Sequence, residues 1–268
     1  MIIRYRDPAE RHNLDIYKFE LIHRVMELTR KEFGDYQAIP YRGSDTGQQR
    51  WAHLINEGKL INIAWVSPGT AVANANVIPI PVDIMHGLLG FRVCLINKDA
   101  PNKFNEVLKL NALDSLKIGQ ALTWDDIAIY HHNNINPILS PNFSSLFDML
   151  GSRRFDCIAL GINEIFLIQQ EKKSRYPFLV IEEKLLIYYE FPTYLYVSKT
   201  EPRLAMRLQL GLEKMQQNGD LVKLFKEYHP YDFTSLHLDS RKAICLKSPF
   251  VDALKPQCVK SLSFPLFH

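Results

Sequence analysis

The chain has 268 residues, 47% of them hydrophobic and 23% charged, with 32 Lys and Arg against 29 Asp and Glu for a formal charge of +3. This is an ordinary globular composition, long enough for one large or two modest cores, and its scattered basic residues give no reason to expect nucleic acid. No run of about 18 apolar residues occurs, which excludes a membrane-spanning helix. The predicted elements begin with a short strand, Ile2 to Tyr5. The opening Met1-Ile-Ile-Arg-Tyr-Arg-Asp7 runs from strand to polar turn and does not read as a signal peptide. A mature exported chain behind a new Met would read this way, and so would a cytoplasmic one.

Asn13 or Asp15 can cap a helix that carries Tyr17, Leu21, Val25 and Leu28 at helical spacing and ends at Gly34. Tyr36 to Tyr41 is a second strand. Asp45 and Gln48 have capping-box spacing ahead of a helix through Trp51, Leu54 and Ile55 that Gly58 stops. Leu60 to Val66 is so continuously apolar that it reads as a strand buried on both faces. Strands alternating with helices in this way predict mainly parallel sheets with right-handed crossovers.

Gly87 and Gly90 precede an apolar strand from Phe91 to Ile96, and Leu116 to Leu122 is another. Thr123 to Asp126 has the spacing of a helix start. Asn142 or Ser144 caps a helix through Leu146, Phe147 and Leu150 that Gly151 closes. Phe155 to Leu160 is a strand, Asn163 to Gln170 a helix, and Phe178 to Glu182 a short strand. A further strand lies between Phe191 and Ser198. Thr200-Glu-Pro202 starts a long helix with Leu204, Leu208, Leu212 and Met215 on one stripe, ended by Asn218-Gly219. Leu221 to Tyr228 is one more helix, and the segment after Tyr231 has no assignable pattern. Cys94 and Cys157 sit in apolar strands and read as small core residues. Cys245 and Cys258 flank a Pro- and Lys-containing loop, where a disulfide would require an oxidising compartment.

Several local patterns occur in a fixed order: Gln49-Arg50 with Leu54, Gly58 and Ile61-Asn-Ile63; Gly90-Phe-Arg-Val93; Leu146-Phe-Asp-Met-Leu150 followed by Arg154-Phe-Asp156; and Tyr194-Leu-Tyr-Val-Ser-Lys199 with Pro202, Leu204 and Ala205, then Gly219 ahead of Leu224-Phe225. In order and spacing they resemble the type II periplasmic solute-binding proteins, in the branch that includes the amino-acid-binding proteins of ABC transporters. The resemblance implies a two-lobed α/β fold, each lobe a mainly parallel sheet flanked by helices, joined by two crossing strands. It implies lobe 1 from residues 1–92 and 195–268, lobe 2 from residues 93–194, and hinge closure on a small polar ligand. It further implies a periplasmic monomer without cofactor or metal, its signal peptide removed, that presents its ligand to an ABC permease.

The chain departs from that pattern where the ligand would be held. Amino-acid-binding members carry an Arg after the third strand to fork onto the ligand carboxylate. Here Trp65-Val-Ser-Pro-Gly-Thr-Ala-Val-Ala73 has none, and the next Arg is Arg92. An Asp that would grip the ligand's amino group after the second-lobe strand is replaced by Gly161-Ile-Asn-Glu164, in which Glu164 could take that role.

Ligands of open α/β sheets sit beyond the C-terminal ends of strands, which selects the candidate binding residues. After the first strand come Arg6 and Asp7, whose plain alternative is a solvated turn. Trp65 can offer a flat wall and an N–H, or simply core packing, and Ser67 follows it. Trp124 and Asp125 stand at a helix start where backbone N–H groups could meet an anion, although Asp125 and Asp126 suit a cation better or merely favour the helix's first turn. Glu164 starts another helix. Tyr194 alternates with Tyr196, so one of the two faces a ligand. Arg50 reads as a surface ion-pair partner.

Catalysis has little support, since the adjacent His131 and His132 lack metal-ligand spacing and no nucleophile or phosphate-loop motif occurs. Two alternatives remain beside transport. One is a ligand-sensing domain of a signalling system working with a membrane sensor. The other is a dehydratase-like enzyme on the same fold, with Glu164 or Asp125 as its acid or base.

Overall fold

In chain order the elements are β1 (Ile2–Arg6), α1 (Asn13–Leu28), α2 (Arg30–Phe33), β2 (Gln37–Tyr41), α3 (Gln48–Glu57), β3 (Ile63–Val66) and β4 (Val77–Ile80). Next come β5 (Phe91–Asn97), α4 (Lys103–Leu110), β6 (Ile118–Ala121), α5 (Ile127–His132), β7 (Ile138–Ser140), α6 (Phe143–Gly151) and β8 (Cys157–Gly161). The chain continues through α7 (Ile165–Lys173), β9 (Leu179–Ile181), β10 (Leu185–Tyr188), β11 (Tyr194–Ser198), α8 (Pro202–Gln217), α9 (Asp220–Tyr228) and β12 (Lys242–Cys245). The computed structural model describes residues 1–7, 13–43, 47–99, 103–110, 112–229 and 233–251. Asp45 and Cys258, both singled out in the sequence, lie outside the described residues.

The elements form two α/β units, Met1–His86 with Pro192–Pro230 and Gly87–Phe191 with Tyr231–His268. The expected boundaries at 92/93 and 194/195 fall a few residues late, and the C-terminal segment changes sides. It was expected in the first unit, but β12 pairs in parallel with β10 of the second, Lys242 opposite Leu185 and Cys245 opposite Tyr188. A buried ion pair fixes it there. Arg241 donates to the Leu236 and Leu185 carbonyls and lies 3.6 Å from Glu182, whose carboxylate in turn accepts the Lys184 and Leu185 N–H groups.

In the first unit β1 and β2 are parallel, and β11 lies between β3 and β4, antiparallel to both. Asn62, fully buried, splices the two sheets. Its side chain accepts from Arg4 N at 2.7 Å and donates to Ile2 O at 2.9 Å, while its own N–H donates to Arg4 O. The strand expected over Leu60 to Val66 is shorter and only half-buried past Ile63, because the segment before it is spent on this splice. Helix α1 packs on α8 and α9. The approach is close enough that a Cβ on Gly211 would lie 2.5 Å from Val25 Cγ1. Arg207 on α8 is fully buried against the end of α1, donating to Met26 O and Thr29 Oγ1. A cation at a helix C-terminus meets free carbonyls and the negative end of the helix dipole.

The second unit is a sheet in the order β12-β10-β5-β8-β6-β7, with β9 also on β5. Its β6–β7, β6–β8 and β10–β12 pairs are parallel. Among the described residues every antiparallel pair involves β5 or β11. Asn142 caps α6 as expected, accepting from Ser145 N. The cysteines of β5 and β8 correct the sequence reading. Cys94 and Cys157 are buried, as expected, but bonded to each other across neighbouring strands with Cα atoms 5.4 Å apart. Cys245 is not free.

Candidate functional site

In the second unit β6, β8 and β10 run the same way and β5 runs against them. Three strand C-termini and the start of β5 therefore share one edge of the sheet, the edge at which open α/β sheets take ligands. Arg92 stands there, opposite Gly161 at the end of β8 and Ile187 on β10. It shares a sheet face with Cys94, two residues on, because side chains alternate along a strand.

Arg92 is nine-tenths buried and is satisfied by its own unit. Its Nε donates to Tyr189 Oη at 2.7 Å, Nη2 lies 3.2 Å from Asp126 Oδ2, and Nη1 lies 3.7 Å from Glu164 Oε1. The guanidinium also sits over the Tyr189 and Phe191 rings at 5.5 and 5.9 Å. Tyr189 passes the chain on, its hydroxyl donating to Asp126 Oδ2 at 2.6 Å. Burial works against the Arg92 charge, but Tyr189, Asp126 and Glu164 outweigh it and hold the guanidinium above its ordinary range. Burial, reinforced by Asp126, keeps the Tyr130 and Tyr189 phenols protonated far above the ordinary tyrosine value.

Glu164 precedes α7 and folds back so that Oε1 accepts Gly161 N–H at 3.0 Å. Gly161 is glycine for a reason of space. A Cβ there would meet Asn163 Oδ1 at 2.4 Å, Glu164 Oε1 at 3.2 Å and Arg92 Nη1 at 3.3 Å. Three polar atoms thus converge on one bare Cα. Asn163 Oδ1 is buried without a hydrogen-bond partner, and so is the hydroxyl of Tyr130, which lies beside Tyr189 without meeting hydrogen-bond geometry. Gln120 on β6 is fully buried with neither amide atom paired. Unpaired buried polar atoms are costly, about 1–3 kcal/mol each, and such groups gather where something polar is bound.

Of the residues selected from sequence, Glu164 is inside this cluster. Asp125 and Trp124 are half-buried just before α5, Trp124 facing the Phe143 ring at 6.0 Å. The helix there has six residues and opens on Asp126, whose carboxylate turns to Arg92, so no anion seat forms. The other five residues belong to the first unit. Arg6 lies over the Trp51 ring at 4.6 Å. Asp7 is buried and takes Arg42 Nε at 2.9 Å, so it is not a solvated turn residue. Trp65 packs on Tyr5 and Phe19, Ser67 is buried, and Tyr194 on β11 lies opposite Val66 on β3. The first unit also carries a groove of about 310 Å³ between α1 and the β1–β2 pair, lined in part by Tyr5, Phe19, His23 and Tyr36.

Reasoning from the sequence passed over Arg92, Tyr130, Asn163 and Tyr189 as site residues, and weighed Asp126 only beside Asp125, as an acid suiting a cation or the helix's first turn. A signal for Arg92 was present, since a lone charge inside the apolar run Phe91-Arg-Val-Cys-Leu-Ile96 must find partners if that strand is buried.

No protein-family model matches the sequence, and no characterised protein was found that is similar to it in sequence. Solved structures do match in three dimensions. A TRAP periplasmic solute binding protein from Ochrobactrum anthropi superposes with a TM-score of 0.55 at 15% identity, over 92% of this chain and 84% of that one. An ancestral arginine-binding protein bound to glutamine gives 0.53 at 14% identity, over 86% of this chain and 98% of its own. The substrate binding protein of an amino acid ABC transporter gives 0.50 at 13%, over 86% and 100%. At such identities the likeness speaks for architecture alone, and the architecture is that of the two-lobed type II periplasmic binding proteins.

Proposed function

We propose that this chain is a ligand-capturing protein, which takes up a small polar molecule by closing its two lobes and presents it to a membrane partner such as an ABC permease. The observation that carries the reading is the polar cluster around Gly161, built at the sheet edge where this architecture takes ligands and holding buried polar atoms without partners. Ligand contacts drawn from both lobes would favour the closed state over the open one. The buried Cys94–Cys157 bond supports work in an oxidising compartment, and with it the expectation of a periplasmic or extracellular protein.

The test is a thermal-shift screen against amines, amino acids, carboxylates and sugars, followed by recovery of any compound that stabilises. A compound at a hundred times its Kd should add about 2.7 kcal/mol. Stabilisation by a compound recovered unchanged supports capture. Steady consumption of the stabilising compound would instead make the chain an enzyme, and no stabilisation by any class would remove the reading.

A further inference from the structure

We infer that the groove between α1 and the β1–β2 pair is a ligand site in its own right, built for a small aromatic amine whose ring lies among its aromatic walls and whose ammonium group meets Glu20. The inference concerns the first unit alone and does not depend on the capture reading, whose carrying observation lies in the second.

Shape is the first argument. On α1, Ile16, Phe19, Glu20 and His23 recur at the spacing that places them on one stripe of a helix, beside the stripe of Tyr17, Leu21 and Val25 that is fully buried. The first stripe looks onto the β1–β2 pair, and β2 gives it little cover, since Gln37, Ala38, Ile39 and Pro40 are all exposed. Ile3 and Tyr5 of β1 stand opposite Ala38 and Pro40 in the parallel register, so these side chains share one sheet face. The result is a concavity of about 310 Å³, at the lower end of what small-molecule sites occupy. Its walls are the rings of Tyr5, Phe19, Tyr36 and Tyr228, the first two 4.9 Å apart. Ile16 beside them is 41% exposed, an apolar surface that a ligand ring would cover.

Charge is the second argument. Among the described residues that line the groove there is no Lys or Arg, and Glu20 is the one carboxylate. Arg24 donates to Glu20 Oε1 at 2.8 Å, and no hydrogen bond among the described residues reaches Oε2. Arg24 also lies 3.5 Å from Glu227 Oε2, so one guanidinium serves two part-exposed carboxylates and a negative charge is left over. The His23 imidazole is hydrogen-bonded to the Tyr36 hydroxyl. Burial, together with a bond to Glu27, keeps that phenol protonated, pushed up to about 12. The walls therefore present neutral rings whose faces attract an ammonium group. An aromatic carboxylate would meet Glu20 with no lining cation to offset it.

The experiment titrates the whole chain calorimetrically with three probes of one shape and different charge: 2-phenylethylamine, 2-phenylethanol and phenylacetate. The amine is expected to bind, the alcohol to bind roughly tenfold more weakly, and the acid not to bind. In Glu20→Gln the amine should fall to the affinity of the alcohol, while the alcohol itself is little changed. Ala38→Trp, at an exposed position on the groove wall, should fill the space and abolish amine binding with the melting temperature nearly unchanged. Glu164→Gln should leave amine binding as it is, which separates this site from the Gly161 corner. Equal amine affinity in wild type and Glu20→Gln, or tighter binding of the acid than of the amine, would overturn the charge assignment and the proposal with it. Amine binding that survives Ala38→Trp, or that is lost in Glu164→Gln, would place the amine outside the groove, and no binding of the amine would remove the site.

Discussion

Asn62 shows how much one side chain can decide. It joins β1 to the segment entering β3 through a donor aimed at Ile2 O and an acceptor aimed at Arg4 N, beside the backbone bond from its own N–H to Arg4 O. Replacing it by Ala leaves both part-buried backbone groups unpaired, so Asn62→Ala should cost about 1–3 kcal/mol, read as a lower urea midpoint with little change in slope. An unchanged midpoint would mean that water replaces the amide. From sequence, Asn62 was only a polar mark inside an apolar strand. The site residues divide in the same way. Glu164 was legible because it follows a recognisable strand at the right distance. Tyr130 and Tyr189 look like any core aromatic, and only the position of Arg92 gives their hydroxyls a role. Asp7 was read as a ligand contact or a solvated turn residue, because nothing local announces Arg42, 35 positions away.

At the scale of elements, the long periodic segments were readable and several of the short ones were not. Helices α1, α6 and α8 and strands β5, β8 and β11 follow from spacing of apolar residues. Strands β4, β7, β10 and β12 have three or four residues each, too few to show a period, and β4 contains Pro79, which edge positions tolerate. Their existence depends on partners distant in sequence. The same holds for the Cys94–Cys157 bond, 63 residues apart, since pairing among four cysteines has three solutions that composition cannot choose between. Because it joins the strand bearing Arg92 to the strand ending at Gly161, it braces the candidate site from beneath. By the loop-entropy account a bridge of this span is worth about 4 kcal/mol. Cys94→Ala with Cys157→Ala should lower the melting temperature accordingly and weaken ligand binding. A stable double variant with full affinity would show that sheet pairing alone holds the corner.

For the molecule as a whole, acid should be destabilising from a definite point. His229 is buried and His86 half-buried, and burial depresses both imidazoles below the ordinary value of 6.5, against the pull of Asp83 on His86 and of the Phe225 carbonyl on His229. A base whose folded pKa is depressed leaves the unfolded chain binding more protons. Stability is then fully present above the unfolded value and lost as pH falls through about 6.5 toward the folded values. Melting temperature should therefore drop between about pH 7.5 and about pH 5, and more shallowly in His86→Asn, whose side chain tolerates the positive φ found there. Equal slopes in the two proteins would assign the loss to carboxylates instead.

The pairing of β12 with β10 also bears on how the chain is made. Both units are discontinuous, so each must wait for a late piece: the first for β11, α8 and α9, the second for β12. On a ribosome the second unit would present β10 as an open edge throughout the synthesis of the next fifty or so residues, at about 5–20 residues per second. An open edge is a template for pairing with another chain. Refolding from denaturant in isolation should therefore lose material to aggregation in proportion to concentration.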